Sequence, residues 1–538
     1  MASRHWYRSS PQYPSCDAFA DKFFGSPALA VAHRLDMNRG NERSTSIRTV
    51  ARRLATGFSW GALGAFGWRA LTAVSSVLVA RILGPGGFGE LGIVRSTANL
   101  FTVYAGFRLG TTANKHIAEY RERDPDRAGR ILRMSLAMSA VFCAVTAAIL
   151  IFGGGAIAEH VLSNPDISLA LRIAGVFLFF QAYSSVRETV LIGTENFQAF
   201  ARVNIVKGIL TAALIVPGAY LWGPTGAIAG LSLAAILAYL VLQHYVREAL
   251  LEFAIRDDVP FREWKCELSL LWTFALPGLL VGVISATVLW YGRVVITGLE
   301  QGYVQLGLFE AANQWRTLIL FLPAVLARVA MPLLSETYGR DREGDFREAV
   351  ALQFRSILLL TLPLTTIVIV FSENLMMIFG SAYQESGPIL PLLMLSVFVF
   401  ALNQSLRKVQ DSAARRWQNL ALQVGWGVVF VLVLRSQAED YGAVGLAQAF
   451  LTAEIVLLIF QMAYVEIRIM SGTLRKVGPD MLVAAAALSV VITAHFGLIK
   501  EAYALPVSLM GSLLSFLPGA IVGWSFIGKR MRKRQGTA

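Results

Sequence analysis

The sequence predicts an all-α polytopic membrane protein of about fourteen transmembrane helices, arranged as two pseudo-symmetric six-helix lobes plus two C-terminal helices. Three observations predict it. Charged residues make up only 15% of the 538 residues and hydrophobic ones 55%, whereas a soluble domain carries roughly 25% charged residues. The apolar runs are long and continuous rather than short and alternating, so helices rather than a barrel satisfy the backbone in lipid. Basic residues collect on alternate loops, which fixes the threading.

Taken in order, residues 1–56 are polar and basic and contain Pro11, Pro14 and Pro27. That composition predicts a disordered cytoplasmic leader. The mildly apolar stretch Pro27 to Ala32 is too short for a signal-peptide core, so no cleaved signal is expected. Spans one to six fall at approximately 57–82, 88–112, 131–152, 169–192, 204–222 and 224–246, giving an N-lobe over 57–246. A cytoplasmic linker, 247–267, follows. Spans seven to twelve fall at approximately 268–292, 304–332, 350–371, 388–405, 417–434 and 442–465, giving a C-lobe over 268–465. Residues 466–538 hold two more spans, at roughly 481–499 and 504–527, and a basic tail.

With the N-terminus inside, the cytoplasmic loops hold Lys115 to Arg130, Arg247 to Lys265, Arg340 to Arg347, Arg407 to Arg416 and Arg468 to Lys476, and the tail holds Lys529 to Arg534. The opposite loops hold Arg293, Arg435 and Lys500. Roughly 36 basic residues then lie inside against about 3 outside, which puts both termini in the cytoplasm. The net charge of +13 is explained by this asymmetry, and no nucleic-acid partner is expected.

The chain repeats itself at a spacing of roughly 215 to 219 residues. Gly87-Phe88-Gly89-Glu90-Leu91-Gly92-Ile93 matches Gly302-Tyr303-Val304-Gln305-Leu306-Gly307-Leu308, each opening the second span of its half. Gly223-Pro224-Thr225-Gly226-Ala227 matches Gly442-Ala443-Val444-Gly445-Leu446, each the tight external turn between a half's fifth and sixth spans. An even number of spans per repeat gives a parallel repeat about an axis along the membrane normal, which suits alternating access.

Several charges fall inside spans. Arg69 lies near the midpoint of the first, and Arg95 seven residues into the second. Arg316 lies in the eighth with Glu310 and Asn313 nearby, and Glu454 mid-way along the twelfth. A central arginine costs about 2.5–3.5 kcal/mol to insert, so it faces a wet cavity or a partner. The candidate substrate cavity is therefore Arg69, Arg95, Arg316 and Asn313, because the guanidinium fork suits a phosphate. Glu310 and Glu454 are candidate coupling residues, or ion-pair partners for Arg316. Gly57, Gly61, Gly64 and Gly67 give the first span a small face for close packing.

Enzyme chemistry finds no foothold. Cys16, Cys143 and Cys266 are scattered and the histidines dispersed, so no disulfide framework, metal or cofactor is expected. External loops stay under about 16 residues, and no phosphate-binding glycine loop, nucleophile elbow or soluble carboxylate pair stands out.

The segment Ala80-Arg81-Ile82-Leu83-Gly84-Pro85-Gly86-Gly87-Phe88-Gly89 resembles the turn after the first span of the O-antigen and exopolysaccharide flippases. Gly110 to Glu119, Leu191-Ile192-Gly193-Thr194-Glu195-Asn196-Phe197 and Gly223 to Gly226 resemble further loops of that family. The leader before residue 50 departs from its pattern, and Met37 to Arg53 resembles the family's basic start. These proteins belong to the multidrug/oligosaccharidyl-lipid/polysaccharide exporter superfamily. The resemblance implies a two-lobed bundle whose cavity is lined by the first, second, seventh and eighth spans. It implies an inner-membrane transporter that flips a polyprenyl-pyrophosphate-linked oligosaccharide for surface polysaccharide or lipopolysaccharide biosynthesis. Its partners would be that lipid-linked oligosaccharide, membrane lipids, and a glycan polymerase and export machinery. A drug/cation antiporter of the sister multidrug and toxin extrusion type is the competing expectation, which basic cavity charges disfavour.

Overall fold

The computed structural model describes residues 39–106, 109–268, 276–339, 343–413, 416–469 and 472–497. The chain divides into two units, Met1–Phe58 and Ser59–Ala538. Helix α1 runs Arg39–Gly106. Residues 1–38 of the leader lie outside the described residues. The fourteenth span and the basic tail lie outside the described residues.

In the second unit, eight helices among the described residues are long and apolar enough to cross a membrane. Three of them bend at a glycine in the left-handed region: α1 at Gly84 (φ 66°), α5 (Phe197–Glu252) at Gly223 (φ 60°) and α12 (Arg416–Tyr464) at Gly442 (φ 51°). Each is long enough for two crossings, at 42, 56 and 53 residues. Only glycine adopts such a φ without strain, so these sites reverse the chain between spans. All three fall where the sequence places an external turn.

The remaining helices are α2 (Leu109–Tyr120), α3 (Pro125–Ala156), α4 (Ser168–Gly193), α6 (Phe261–Trp264), α7 (Leu276–Thr297), α8 (Gly302–Gly339), α9 (Glu343–Val370), α10 (Ser372–Met377), α11 (Ile389–Ser412) and α13 (Thr473–Gly497). The fold is all-α and polytopic. α3 begins on an Asp124 cap, whose side chain accepts from the Arg127 N–H, with Pro125 in the first turn. α5 begins on the Asn196 cap of the Ala199 N–H.

Two sets of helices pack among themselves: α2 to α5 in one bundle, and α7 to α9 with α11 to α13 in the other. The first half of α1 joins the first bundle. Gly64 and Gly67 face Ala201 and Ile205 of α5, and Gly208 of α5 faces Trp68 and Leu71. Close backbone approach through small residues is how helices associate when lipid removes the hydrophobic drive. In the second bundle, Gly292 and Gly427 let α7 and α12 approach, against Phe430 and Val288.

Two of the stretches that carry the flippase resemblance, Gly110 to Glu119 and Leu191 to Phe197, meet at one end of the first bundle. Gly193 abuts Ile117, and Arg121 donates to the Gly193 carbonyl at 2.8 Å and to Glu195 at 2.7 Å. Arg187 faces Asp257 at 3.7 Å, and Glu188 faces Lys207 at 3.3 Å.

Candidate functional site: a cationic cavity between two bundles

Four helical segments converge on a cavity of about 410 Å³. The first half of α1 contributes Trp68, Arg69, Thr72 and Ala73, and the second half Phe88, Leu91, Gly92, Arg95, Ser96, Asn99, Leu100 and Val103. α7 contributes Ala286, Leu289 and Arg293, and α8 contributes Glu310, Asn313, Gln314, Thr317 and Leu318. The spacings of three, four and seven residues show that each segment presents one face to the opening. These segments are the first, second, seventh and eighth spans of the sequence.

Hydrogen bonds tie the second half of α1 to α7 across the wall. The Trp290 indole donates to the Thr97 hydroxyl at 3.0 Å, and the Tyr104 and Thr287 hydroxyls lie 2.8 Å apart. Within the cavity, Arg293 Nε donates to Glu310 Oε1 at 2.6 Å and Arg293 Nη1 to the Leu289 carbonyl at 3.0 Å. Asn313 Nδ2 donates to the other oxygen, Glu310 Oε2, at 3.3 Å. Gly92 leaves room for this carboxylate, since a Cβ there would stand 2.7 Å from Glu310 Cγ. One turn along the same face, Arg95 has no carboxylate within 4 Å among the described residues. The Arg69 guanidinium lies over the Phe321 ring, 4.5 Å from its centre, with Trp68 at 5.9 Å. Among the described residues that line it, three arginines share the cavity with one carboxylate, and that carboxylate is engaged.

Of the sequence candidates, Arg69, Arg95, Asn313 and Glu310 line this opening. Arg316 and Glu454 do not. Position 316 is six residues beyond Glu310, about 240° round the helix, which turns Arg316 into the second bundle. There its guanidinium stacks over Phe450 at 5.1 Å and Phe400 at 5.7 Å. Glu454, 2% exposed, accepts from Asn403 Nδ2 at 2.7 Å and lies within electrostatic reach of Arg407 and Arg316. Arg407, expected in a cytoplasmic loop, sits in α11 over the same Phe400 ring at 5.8 Å. This second charged cluster holds α8, α11 and α12 together.

Arg293 is the residue that sequence reasoning misses. Hydropathy places it in an external loop, but α7 carries it inside the membrane. The signal lies just beyond it, where Val294, Val295 and Ile296 continue the apolar run.

At the end of the molecule bearing the glycine turns, the two bundles meet. A Cβ at Gly89 would fall on the Tyr303 carbonyl oxygen, and one at Gly307 on the Pro85 carbonyl oxygen. The Tyr303 hydroxyl donates to the Leu162 carbonyl of the first bundle at 2.8 Å. Tyr383 of the second bundle donates to the Ala80 carbonyl at 3.0 Å and meets the Phe88 ring edge-on at 6.4 Å. Arg81 Nε donates to the Ile378 carbonyl at 2.8 Å. Phe88 and Tyr303, matched in the repeat, thus each reach into the opposite bundle. The segments that the repeat relates are pressed against each other.

A family model described as polysaccharide biosynthesis protein matches residues 54–338, more than half of the chain. The chain belongs to that family. The chain is 25% identical over 351 residues to the EPS I polysaccharide export inner membrane protein EpsE of Ralstonia nicotianae, covering 63% of this chain and 77% of the relative. It is 25% identical over 393 residues to the putative O-antigen transporter of Shigella flexneri, covering 70% and 89%. Among solved structures, it superposes on an outward-facing MATE family transporter of the MOP superfamily with a TM-score of 0.60 at 13% identity, covering 77% of this chain and 95% of that one. A MOP superfamily transporter from Pyrococcus furiosus, noted for reverse polarity of its binding pocket, gives a TM-score of 0.58 at 13% identity, covering 76% and 95%. These structural likenesses show that the chain has a MATE-like fold.

Proposed function

We propose that this protein flips a polyprenyl-diphosphate-linked oligosaccharide across the cytoplasmic membrane, for assembly of a cell-surface polysaccharide. One observation carries the reading: an opening between two helix bundles whose described lining holds Arg69, Arg95 and Arg293 and one carboxylate, Glu310, engaged by Arg293. Guanidinium groups at membrane depth are costly unless they serve a path or a partner. A diphosphate offers them charge and paired acceptors, and Ser96, Asn99, Gln314 and Thr317 offer hydrogen bonds to sugar hydroxyls. The lipid tail stays in the bilayer. The relatives named for polysaccharide export and O-antigen transport support the cargo class.

The bundles act as two pseudo-symmetric lobes that rock about the cavity, with both termini cytoplasmic. In that orientation the closed end of the molecule faces outward and the cavity awaits cargo from the cytoplasmic leaflet. An inside-negative potential then favours export of net negative charge, by about 2.3 kcal/mol per charge per 100 mV if the full field is crossed. The protein acts without catalysis and hands its cargo to a glycan polymerase and export machinery. A cation antiporter would need a carboxylate open to its substrate, and Glu310 is held by Arg293 and Asn313.

The test is conditional depletion in the native cell. Lipid-linked glycan accumulates on the inner face while surface glycan falls. Unchanged surface glycan, in a strain without a second transporter of this type, refutes the reading.

A further inference from the structure

We infer that Glu310 is a built-in stand-in for the cargo's phosphate: it occupies Arg293 when the cavity is empty, is displaced by the diphosphate, and then speeds its release. The inference rests on the anionic-cargo reading above and deepens it.

The geometry of Glu310 is that of a bound anion. One carboxylate oxygen takes the Arg293 Nε–H at 2.6 Å, the other the Asn313 amide at 3.3 Å, and the side chain lies against the bare face of Gly92. A phosphate oxygen pair asks for the same donors. The pair lies on the cavity wall, not within a bundle core, so an incoming head group meets it directly. Arg95, one turn beyond Gly92 on the same face, has no such partner and offers the first landing point for an anion.

Displacement is favourable because a diphosphate carries more charge than one carboxylate and engages Arg95 and Arg293 together. The released carboxylate stays within reach of the ligand and repels it. A transport site must bind well enough to load yet weakly enough to let go. A cavity with three arginines and no acid would hold a diphosphate too long. Glu310 lowers affinity in exchange for turnover, and it keeps Arg293 satisfied on the return with an empty cavity.

The test uses the full-length protein in nanodiscs, with inorganic pyrophosphate as the probe and calorimetry as the readout, alongside flipping of a short-chain lipid diphosphate in proteoliposomes. Glu310→Gln is expected to bind pyrophosphate about 10-fold more tightly, or about 1.4 kcal/mol, and to flip more slowly. Gly92→Ala keeps every charge but drives Glu310 off its seat, and is expected to tighten binding in the same direction. It keeps the idea open to test if the glutamine variant folds poorly. Arg293→Ala is expected to weaken binding below wild type. If wild type binds pyrophosphate and neither Glu310→Gln nor Gly92→Ala binds it more tightly, the stand-in role is overturned while the anionic cargo survives. If neither wild type nor any variant binds it, both readings fall.

Discussion

A single added methyl group should weaken the contact between the repeat-related turns. At Gly89 and Gly307 the two bundles approach backbone to backbone, and in each case an added methyl would land on an opposing carbonyl oxygen, Tyr303 or Pro85. Ordinary contact is about 3.5 Å, so the turns must part by on the order of 1 Å to admit one methyl. Overpacking of this kind costs about 1–3 kcal/mol. The cost falls only on the state in which the turns touch. Each substitution, Gly89→Ala or Gly307→Ala, should therefore shift the closed-to-open ratio at this end by about 5- to 150-fold. Spin labels at Asp166 and Asn374, exposed positions on opposite bundles at this end, report the opening by pulsed double-resonance spectroscopy. A longer-distance population is expected in both variants, and more of it in the double variant. Gly153→Ala is the control, because nothing lies within 4 Å of its added carbon. Identical distance distributions in Gly89→Ala, Gly307→Ala and Gly153→Ala would show that these turns do not hold this end closed.

Three further outcomes are expected. Arg95→Ala should cut surface glycan in the native cell by about 10-fold or more, and Arg95→Lys should restore part of it, since lysine keeps the charge but loses the fork; immunoblotting of the glycan checks this. Asn403→Ala should remove the hydrogen bond to the buried Glu454 carboxylate and destabilise the protein by about 1.5–3 kcal/mol, read as a lowered Tm in detergent. His116, in α2 outside the spans, is held below its ordinary value by burial and then by the neighbouring Lys115 charge. The unfolded chain takes up that proton first, so this group's contribution is intact above the unfolded value of about 6.5 and fades as pH falls through it toward the folded one. His116→Gln should flatten the fall in Tm between about pH 7 and pH 5.

Much of the architecture is legible in the sequence because membrane burial writes it in one dimension. Apolar run length locates spans, and glycines such as Gly223 and Gly442 mark reversals that only a left-handed residue makes without strain. Depth is readable too, so Arg69, Arg95, Glu310 and Asn313 stand out as polar groups far from span ends. Azimuth is harder. Arg316 and Asn313 are three residues apart at similar depth, yet one stacks between Phe400 and Phe450 and the other lines the cavity. Nothing local separates them, because the face a helix turns inward is set by its neighbours. Span ends are harder still. A boundary drawn a few residues early leaves Arg293 in a loop, and its pairing with Glu310 depends on α7 and α8 meeting in space. The repeat is visible as a pattern, but that its two copies press against each other is a fact of the fold.

In the proposed mechanism the cavity arginines carry an anionic lipid head group across the membrane. The most direct measurement is the rate at which purified protein in proteoliposomes moves a labelled polyprenyl-diphosphate oligosaccharide from one leaflet to the other. Wild type should move it, and the Arg95→Ala, Arg293→Ala double variant, folded and reconstituted to the same level, should not. Wild-type rates in that double variant would show that these arginines do not carry the cargo.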